Sequence, residues 1–262
     1  MGRIVALLIA VLAAASVRAE GVQVPGIAPA DRRSGFETMG PDVQAMQRDD
    51  FSNPAMLGVA AGEAAWSRAP ENGKPACSGC HGDIDAAMRG VDARYPARDA
   101  KSGAVLDLPG RIQTCQSVNQ GLSPQPRESD GLLALQAAIA LRSRGMPIEP
   151  PSARGLSDGV QRGEALYRQR FGQLNLACAQ CHDANWGRAL GGTRIPQGHP
   201  TGYPLFRLEW QSIGSLQRRL RNCLTGVRAE PFPSGASEWL DLELFLRERA
   251  AGMASDAPGV RP

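Results

Sequence analysis

One short motif, present twice, constrains this chain more than any other feature. Cys77-Ser-Gly-Cys80-His81 and Cys178-Ala-Gln-Cys181-His182 both read C-x-x-C-H, and their first cysteines are 101 residues apart. The surroundings match as well. Gly62-Glu63-Ala64 and Gly163-Glu164-Ala165 each begin fifteen residues before their motif, and an aromatic, Trp66 or Tyr167, stands eleven residues before it. Downstream, Arg111-Ile-Gln-Thr-Cys115 answers Arg219-Leu-Arg-Asn-Cys223, with arginine four residues before cysteine in both. Each is followed by a polar, proline-bearing stretch. Then come segments of helical apolar period, Asp130 to Arg144 and Ser237 to Arg249, read as amphipathic helices with Asp130 and Ser237 as N-caps.

This pattern is an internal duplication of a unit of about 90 residues, an ordinary domain size. Each unit reads as helix, motif, long loops, short helix, final helix. Asn53-Pro54 opens the first helix with proline at its first position. Gly145-Met146-Pro147 and Pro150-Pro151 close the first unit. The expected division is a first domain over 51–150 and a second over 151–262, preceded by an extension over 20–50. Residues 20–50 and 252–262 are rich in Gly, Pro and Asp and read as loop or tail. Strand signals are sparse, so the class is mostly α.

The start of the chain reads as a secretory signal, residues 1–19. Arg3 precedes the apolar run Ile4 to Ala15, and Val17-Arg18-Ala19 offers small residues for cleavage after Ala19. An uncleaved anchor is the alternative. No later stretch is apolar enough to span a bilayer, so no membrane insertion of the mature chain is expected. Removing the signal leaves 27 basic against 26 acidic residues. A nearly neutral chain argues against nucleic-acid binding, which calls for a strongly basic domain.

C-x-x-C-H is the attachment signature of c-type haem. Two thiols add to the two vinyl groups of one porphyrin edge, and the next residue places its imidazole under the iron. Cys77 and Cys80 with His81, and Cys178 and Cys181 with His182, therefore predict two covalently bound haems. A thioredoxin-like motif would need a βαβ setting that the sequence lacks; a zinc half-site is the other alternative. Only three histidines exist, and two fall here. The 13 aromatic residues are few for two cores, which leaves room for large flat apolar groups. The expected architecture is two tandem cytochrome c-like domains, with the helix of Trp66 or Tyr167 packed across the final helix.

The sixth iron position has no well-placed methionine. No Met lies between His182 and Met253, and Met88 and Met146 are poorly sited. The slot before each final helix holds Cys115 or Cys223, read as distal thiolate ligands. A Cys115–Cys223 disulfide is the alternative in an oxidising compartment. A thiolate ligand lowers the iron potential, which points away from a plain electron carrier and towards chemistry at sulfur. Around Cys223 stand Arg218, Arg219, Arg221 and Arg228. On a helix, Arg219 lies one turn from Cys223 and favours its thiolate. Further arginines can hold an oxyanion by charge-assisted forks, unless Arg218 and Arg221 are simply a solvated face. The first unit lacks the extra arginines, so the second haem is read as the catalytic one. His199 could be a distal ligand but reads as a satisfied surface or supporting group. Trp210 and Phe206 read as core or haem packing.

The two C-x-x-C-H motifs, the stretch GHPTGYPLFRLEWQ over 198–211 and above all RRLRNCLTGVRAEPF over 218–232 resemble the SoxA family, subunits of SoxAX cytochrome complexes of bacterial thiosulfate oxidation. The resemblance spans nearly the whole mature chain. It implies a periplasmic L-cysteine S-thiosulfotransferase that joins thiosulfate oxidatively to a cysteine of the carrier protein SoxYZ. Two electrons would leave through haem to a monohaem partner, SoxX, and on to a soluble c-type cytochrome. It also implies that Cys223 is the active-site cysteine, often a persulfide on the haem iron, with Arg219 beside it, and that Cys115 ligates the other haem. Joined to the reading of the residues, this has Cys223 take up thiosulfate covalently and pass it to the carrier, with Arg219, Arg218 and Arg228 on the sulfonate. The rivals are a dihaem electron carrier without bond-making and a dihaem peroxidase, which needs an open distal site.

Overall fold

The fold is known from a computed structural model that describes residues 26–262. The secretory signal expected over residues 1–19 lies outside the described residues. Helices α1 (Pro41–Arg48), α2 (Ala55–Ser67), α3 (Cys77–His81) and α4 (Ile84–Ala87) open the chain. A hairpin of β1 (Ala97–Arg98) and β2 (Val105–Leu106) leads into α5 (Leu108–Cys115), a π turn over Gln116–Gln120, and α6 (Asp130–Leu141). The second half runs α7 (Ser157–Arg168), α8 (Cys178–His182), a small hairpin of β3 (Ala189–Leu190) and β4 (Thr193–Arg194), then β5 (Leu205–Arg207) and β6 (Ser212–Gly214). It closes with α9 (Leu216–Gly226), α10 (Ser237–Arg249) and β7 (Gly259–Arg261). The mostly α class holds.

In each half the first long helix crosses the last, α2 on α6 and α7 on α10. The glycine of each Gly-Glu-Ala tripeptide sits at the crossing. A β-carbon on Gly62 would lie 2.1 Å from the Ala134 carbonyl oxygen, and one on Gly163 would lie 1.9 Å from that of Asp241. Neither neighbour can give way, because each is helix backbone. The aromatic one turn later then reaches the motif. Trp66 Nε1 donates to the Gly82 carbonyl (3.1 Å), and Tyr167 Oη donates to Asp183 Oδ1 (2.9 Å). Gly82 and Asp183 each directly follow a motif histidine.

The final helices are not amphipathic as expected. In α6 every residue from Leu132 to Ala140 is buried, and in α10 every residue from Asp241 to Arg247 is buried along with Trp239. Each is wrapped on several sides. For α6 the cover includes α2, α5 and β6 of the other half. The charges that α10 carries inward find partners: Asp241 takes a two-pronged bond from Arg162 (2.8 Å each), and Arg247 pairs with Asp92 (3.1 Å). The expected N-caps also move by one residue. Ser129 and Ala236 hold the cap positions, while Asp130 and Ser237 begin their helices without a side-chain cap bond. Asp130 still places a carboxylate in the first turn, where the helix dipole favours it.

The two segments read as loop or tail are structured. Residues 41–48 form α1, and residues 259–261 form β7, which pairs parallel to β5. They hold each other: Val260 N donates to Gln47 Oε1 (2.8 Å), and Arg261 reaches both Gln47 and Asp256. Residues 145–148 pair with 252–255 through reciprocal backbone bonds, including Gly145 N to Ser255 O (2.8 Å) and Ser255 N to Met146 O (2.9 Å). Partners a hundred to two hundred residues away leave no local sequence pattern.

A polar seam joins the halves. Arg127 grips Asp107 at 2.5 and 2.9 Å, Gln217 Nε2 donates to the same carboxylate (2.9 Å), and Glu128 accepts from both the backbone N–H and the hydroxyl of Ser215. Glu243 lies buried in this seam. Burial raises its carboxyl pKa to about 8, and Asp107 adds to the rise against the opposing charge of Arg247. A carboxyl raised on folding contributes stability below its unfolded pKa, and that contribution is lost as pH climbs through the folded value.

Two outcomes are expected for stability. Gly62→Ala or Gly163→Ala should cost about 3 kcal/mol or more in denaturant unfolding, at the upper end for overpacking. Glu243→Gln should raise Tm by several degrees at pH 8 and leave it unchanged near pH 4, because the neutral amide removes the charged form that burial penalises. Equal Tm shifts at both pH values would show that Glu243 does not titrate in the folded state.

Candidate haem and sulfur site

Both motifs form one short helix each, with the two thiols close on one side and histidine at the end. His182 is held firmly. Its Nδ1 donates to the Pro196 carbonyl (2.7 Å), which fixes the orientation of the ring. Gly198 passes close behind the ring; a β-carbon there would lie 3.2 Å from His182 Cγ. The next residue, Asp183, is buried and takes bonds from Tyr167 and from Arg249 Nη2 (2.7 Å). In the first half His81 lies beside Trp66, ring centroids 5.6 Å apart.

These residues suit a haem. In each motif two cysteines stand three residues apart with a histidine directly after the second, the residue set that attaches c-type haem. Among the described residues no three His, Cys, Asp or Glu side chains are grouped so as to hold a bare metal ion. Cys77, Cys80 and His81 would hold one such group, and Cys178, Cys181 and His182 the other.

The two late cysteines fall where the motifs can use them. Cys115, at the end of α5, is within electrostatic reach of Cys77; Asn119 Nδ2 donates to its sulfur (3.4 Å). Cys223, on α9, is within electrostatic reach of Cys178 and Cys181. All six cysteines are free, so the structure makes no Cys115–Cys223 disulfide. Burial pushes the Cys223 thiol up, but a hydrogen bond with His182 and the positive charges of Arg219 and Arg207 outweigh it, and the net pKa is lowered. The thiolate is the nucleophilic form.

The arginines divide. Arg219 faces Cys223 and, among the described residues, makes no ion pair. Arg218 lies 4.1 Å over the Trp210 ring and donates to Ser212 Oγ (3.2 Å). Arg221 sits 6.0 Å over Trp239. Arg228 is exposed at a left-handed backbone position (φ 57°). The structure thus brings Arg219 to the sulfur and engages Arg218 with an aromatic face. His199 is buried rather than on the surface. Its Nδ1 donates to the Arg33 carbonyl (2.9 Å), and burial lowers its pKa to about 4. Phe206 and Trp210 are half-buried around the β5–β6 turn.

Arg207, Tyr203, Asp183 and Arg249 are absent from the sequence reading. Tyr203, pushed up to about 12 by burial, lies within reach of Arg219 and Cys223. A signal for it is present. Tyr95-Pro96 stands sixteen residues before Arg111, as Tyr203-Pro204 does before Arg219.

With this geometry in view, three comparisons identify relatives. The family model for the SoxA/TsdA cytochrome c domain matches residues 61–148. The SoxA subunit of the L-cysteine S-thiosulfotransferase of Rhodovulum sulfidophilum is 32% identical over 87% of this chain and 80% of its own length. The chain belongs to the SoxA family. The SoxA subunit of Pseudaminobacter salicylatoxidans is 31% identical, again over 87% of this chain and 80% of that protein. The crystal structure of SoxXA from P. pantotrophus has a TM-score of 0.82 at 30% identity, covering 88% of this chain and 87% of that one. SoxA relatives are named L-cysteine S-thiosulfotransferase subunits, and the cytochrome c domain matched over residues 61–148 supports a covalently bound c-type haem. No helix among the described residues is long and apolar enough to cross a membrane.

Haem content tests the second motif directly. The purified protein should give two haems per chain by pyridine haemochrome assay. The Cys178→Ala, Cys181→Ala double variant should give one.

Proposed function

We propose that this chain is the dihaem subunit of a periplasmic L-cysteine S-thiosulfotransferase, built from two duplicated cytochrome c-like domains over 51–150 and 151–262. It pairs with a monohaem cytochrome, SoxX, and couples thiosulfate to a cysteine of the carrier SoxYZ. The single observation that carries this reading is Cys223 within reach of the charges of Arg219 and Arg207, while Arg111, four residues before its counterpart Cys115, is held by Asp99 at 2.7 Å. The arginine beside Cys223 has no carboxylate partner among the described residues, and the one before Cys115 has Asp99.

The chemistry is an oxidative S–S coupling. Carrier thiol plus thiosulfate gives the carrier S-thiosulfonate, two electrons and one proton. Bound at both motifs, held by Cys77, Cys80 and His81 and by Cys178, Cys181 and His182, haem would supply one-electron acceptors for this oxidation. The protein's own residues do the rest. The Cys223 thiolate is the group that joins the terminal sulfur of thiosulfate, forming Cys223 Sγ–S–SO₃⁻ as that oxidation releases two electrons. The carrier thiolate then attacks the sulfur from thiosulfate and expels the Cys223 thiolate, so no further electrons are exchanged. A lowered Cys223 pKa suits both roles, because a stable thiolate is a good leaving group. Arg219 holds the sulfonate by charge-assisted hydrogen bonds, with Arg218 and Arg228 at the margin. His182, held by Pro196, keeps its orientation throughout.

Cys223→Ser in the complex with its partner should abolish coupling of thiosulfate to the carrier while two haems per chain are retained. Full activity in that variant would overturn the covalent route and favour the electron-carrier reading.

A further inference from the structure

The two halves match residue for residue over one stretch. Residues 203–223 each stand 108 positions after a counterpart in 95–115. The strand register repeats, Ala97 opposite Leu106 and Leu205 opposite Gly214. So does the cap: Asp107 accepts from Gly110 N, and Ser215 accepts from Arg218 N. Tyr95 is near Arg111 as Tyr203 is near Arg219, and the helix ends in Cys115 in one half while the other continues past Cys223. On this shared scaffold one position reverses charge. Asp99 in the first half corresponds to Arg207 in the second.

The reversal has a direct consequence. In the first half Asp99 takes the guanidinium of Arg111 at 2.7 Å, and the charge beside Cys115 is cancelled. In the second half Arg207 lies within electrostatic reach of both Arg219 and Cys223, and no carboxylate among the described residues cancels Arg219. Two like charges brought together in a partly buried place are unfavourable unless an anion joins them. Arg207 is held there by its surroundings. Its guanidinium carbon lies 5.2 Å over the Trp210 ring, its side chain is only 12% exposed, and one long contact of 3.5 Å reaches the solvent-facing carboxylate of Glu209. Its Nε is buried without an acceptor. The side chain therefore keeps donor capacity that the fold does not consume.

We infer that Arg207 is a second anion-holding residue of the Cys223 site, forming with Arg219 a two-guanidinium receptor for the thiosulfate dianion. The receptor exists in one half alone because Asp99 occupies the matching position in the other. This rests on the proposed function and names the residue that sets its preference for a doubly charged sulfur donor.

The test uses the haem-loaded complex and two readouts. In Arg207→Gln the KM for thiosulfate should rise by about tenfold or more while kcat changes little, since one charge-assisted contact is lost. Arg207→Lys should recover most of the loss. The second readout needs no turnover: the ratio of Cys223 alkylation rates by iodoacetate, an anion, and iodoacetamide, which is neutral. Normalising to the neutral reagent cancels accessibility. The ratio should fall several-fold in Arg207→Gln, return in Arg207→Lys, and stay constant at Cys115. Should the Gln variant lose haem, Arg207→Met keeps the stem on Trp210 and takes its place. An unchanged KM and an unchanged ratio would overturn the inference. A wild-type complex that never couples thiosulfate would instead overturn the proposed function, and the reagent ratio would still decide whether Arg207 supplies the field.

Discussion

Two helix crossings too close for a β-carbon set the distances on which the rest of the molecule depends. At Gly62 and Gly163 the backbone of one helix lies against the carbonyl of another. The aromatic one turn later is thereby carried to the haem motif, where Trp66 bonds the residue after His81 and Tyr167 bonds the residue after His182. The imidazoles are thus positioned by a crossing that precedes them by nearly twenty residues. The same packing explains why α6 and α10 are buried on all sides. Each is clasped by its own half on one side and by the seam between halves on another.

Within that frame the two halves differ by electrostatics more than by shape. Both present cysteine four residues after arginine on a helix entered from a Tyr-Pro hairpin. The first half cancels its arginine with Asp99; the second adds Arg207. Burial alone would hold Cys223 as a neutral thiol, and the surrounding cations with His182 reverse that. A group in a poorly solvated place feels nearby charges strongly, so exchanging one residue for its opposite changes the electrostatic surroundings of the cysteine beside it. The seam reinforces the arrangement: Glu128 and Asp107 of the first half hold Ser215 and Gln217 at the start of the helix that carries Arg219 and Cys223.

The legible part of this protein is what depends on spacing along the chain. The haem motifs, the paired late cysteines, Arg219 beside Cys223 and the mostly α class follow from intervals that survive without coordinates. The misreadings are matters of context. Asp130 and Ser237 look like caps because they precede apolar runs, yet each helix starts at that residue and its cap lies one earlier. The final helices look amphipathic from their apolar period alone; in α10 the charges of Asp241, Glu243 and Arg247 are buried as well and meet partners inside the protein. Arg207 escapes notice because it lies outside the arginine-rich helix. Extending the repeat backwards to Tyr95 and Tyr203 exposes it as the place where Asp99 becomes Arg.

The amino-acid sequence by itself determined where haem can attach, which cysteines are left over, and how far each stands from its arginine, because covalent attachment and helical turns are set by intervals of a few residues. Only the tertiary structure decided which arginine has a carboxylate partner, that the Cys223 thiol pKa is lowered, and that residues 259–261 complete a sheet against a helix near the start of the chain. Those outcomes depend on burial and on partners distant in sequence, and burial is what turns a weak charge interaction into one strong enough to choose a reactive atom.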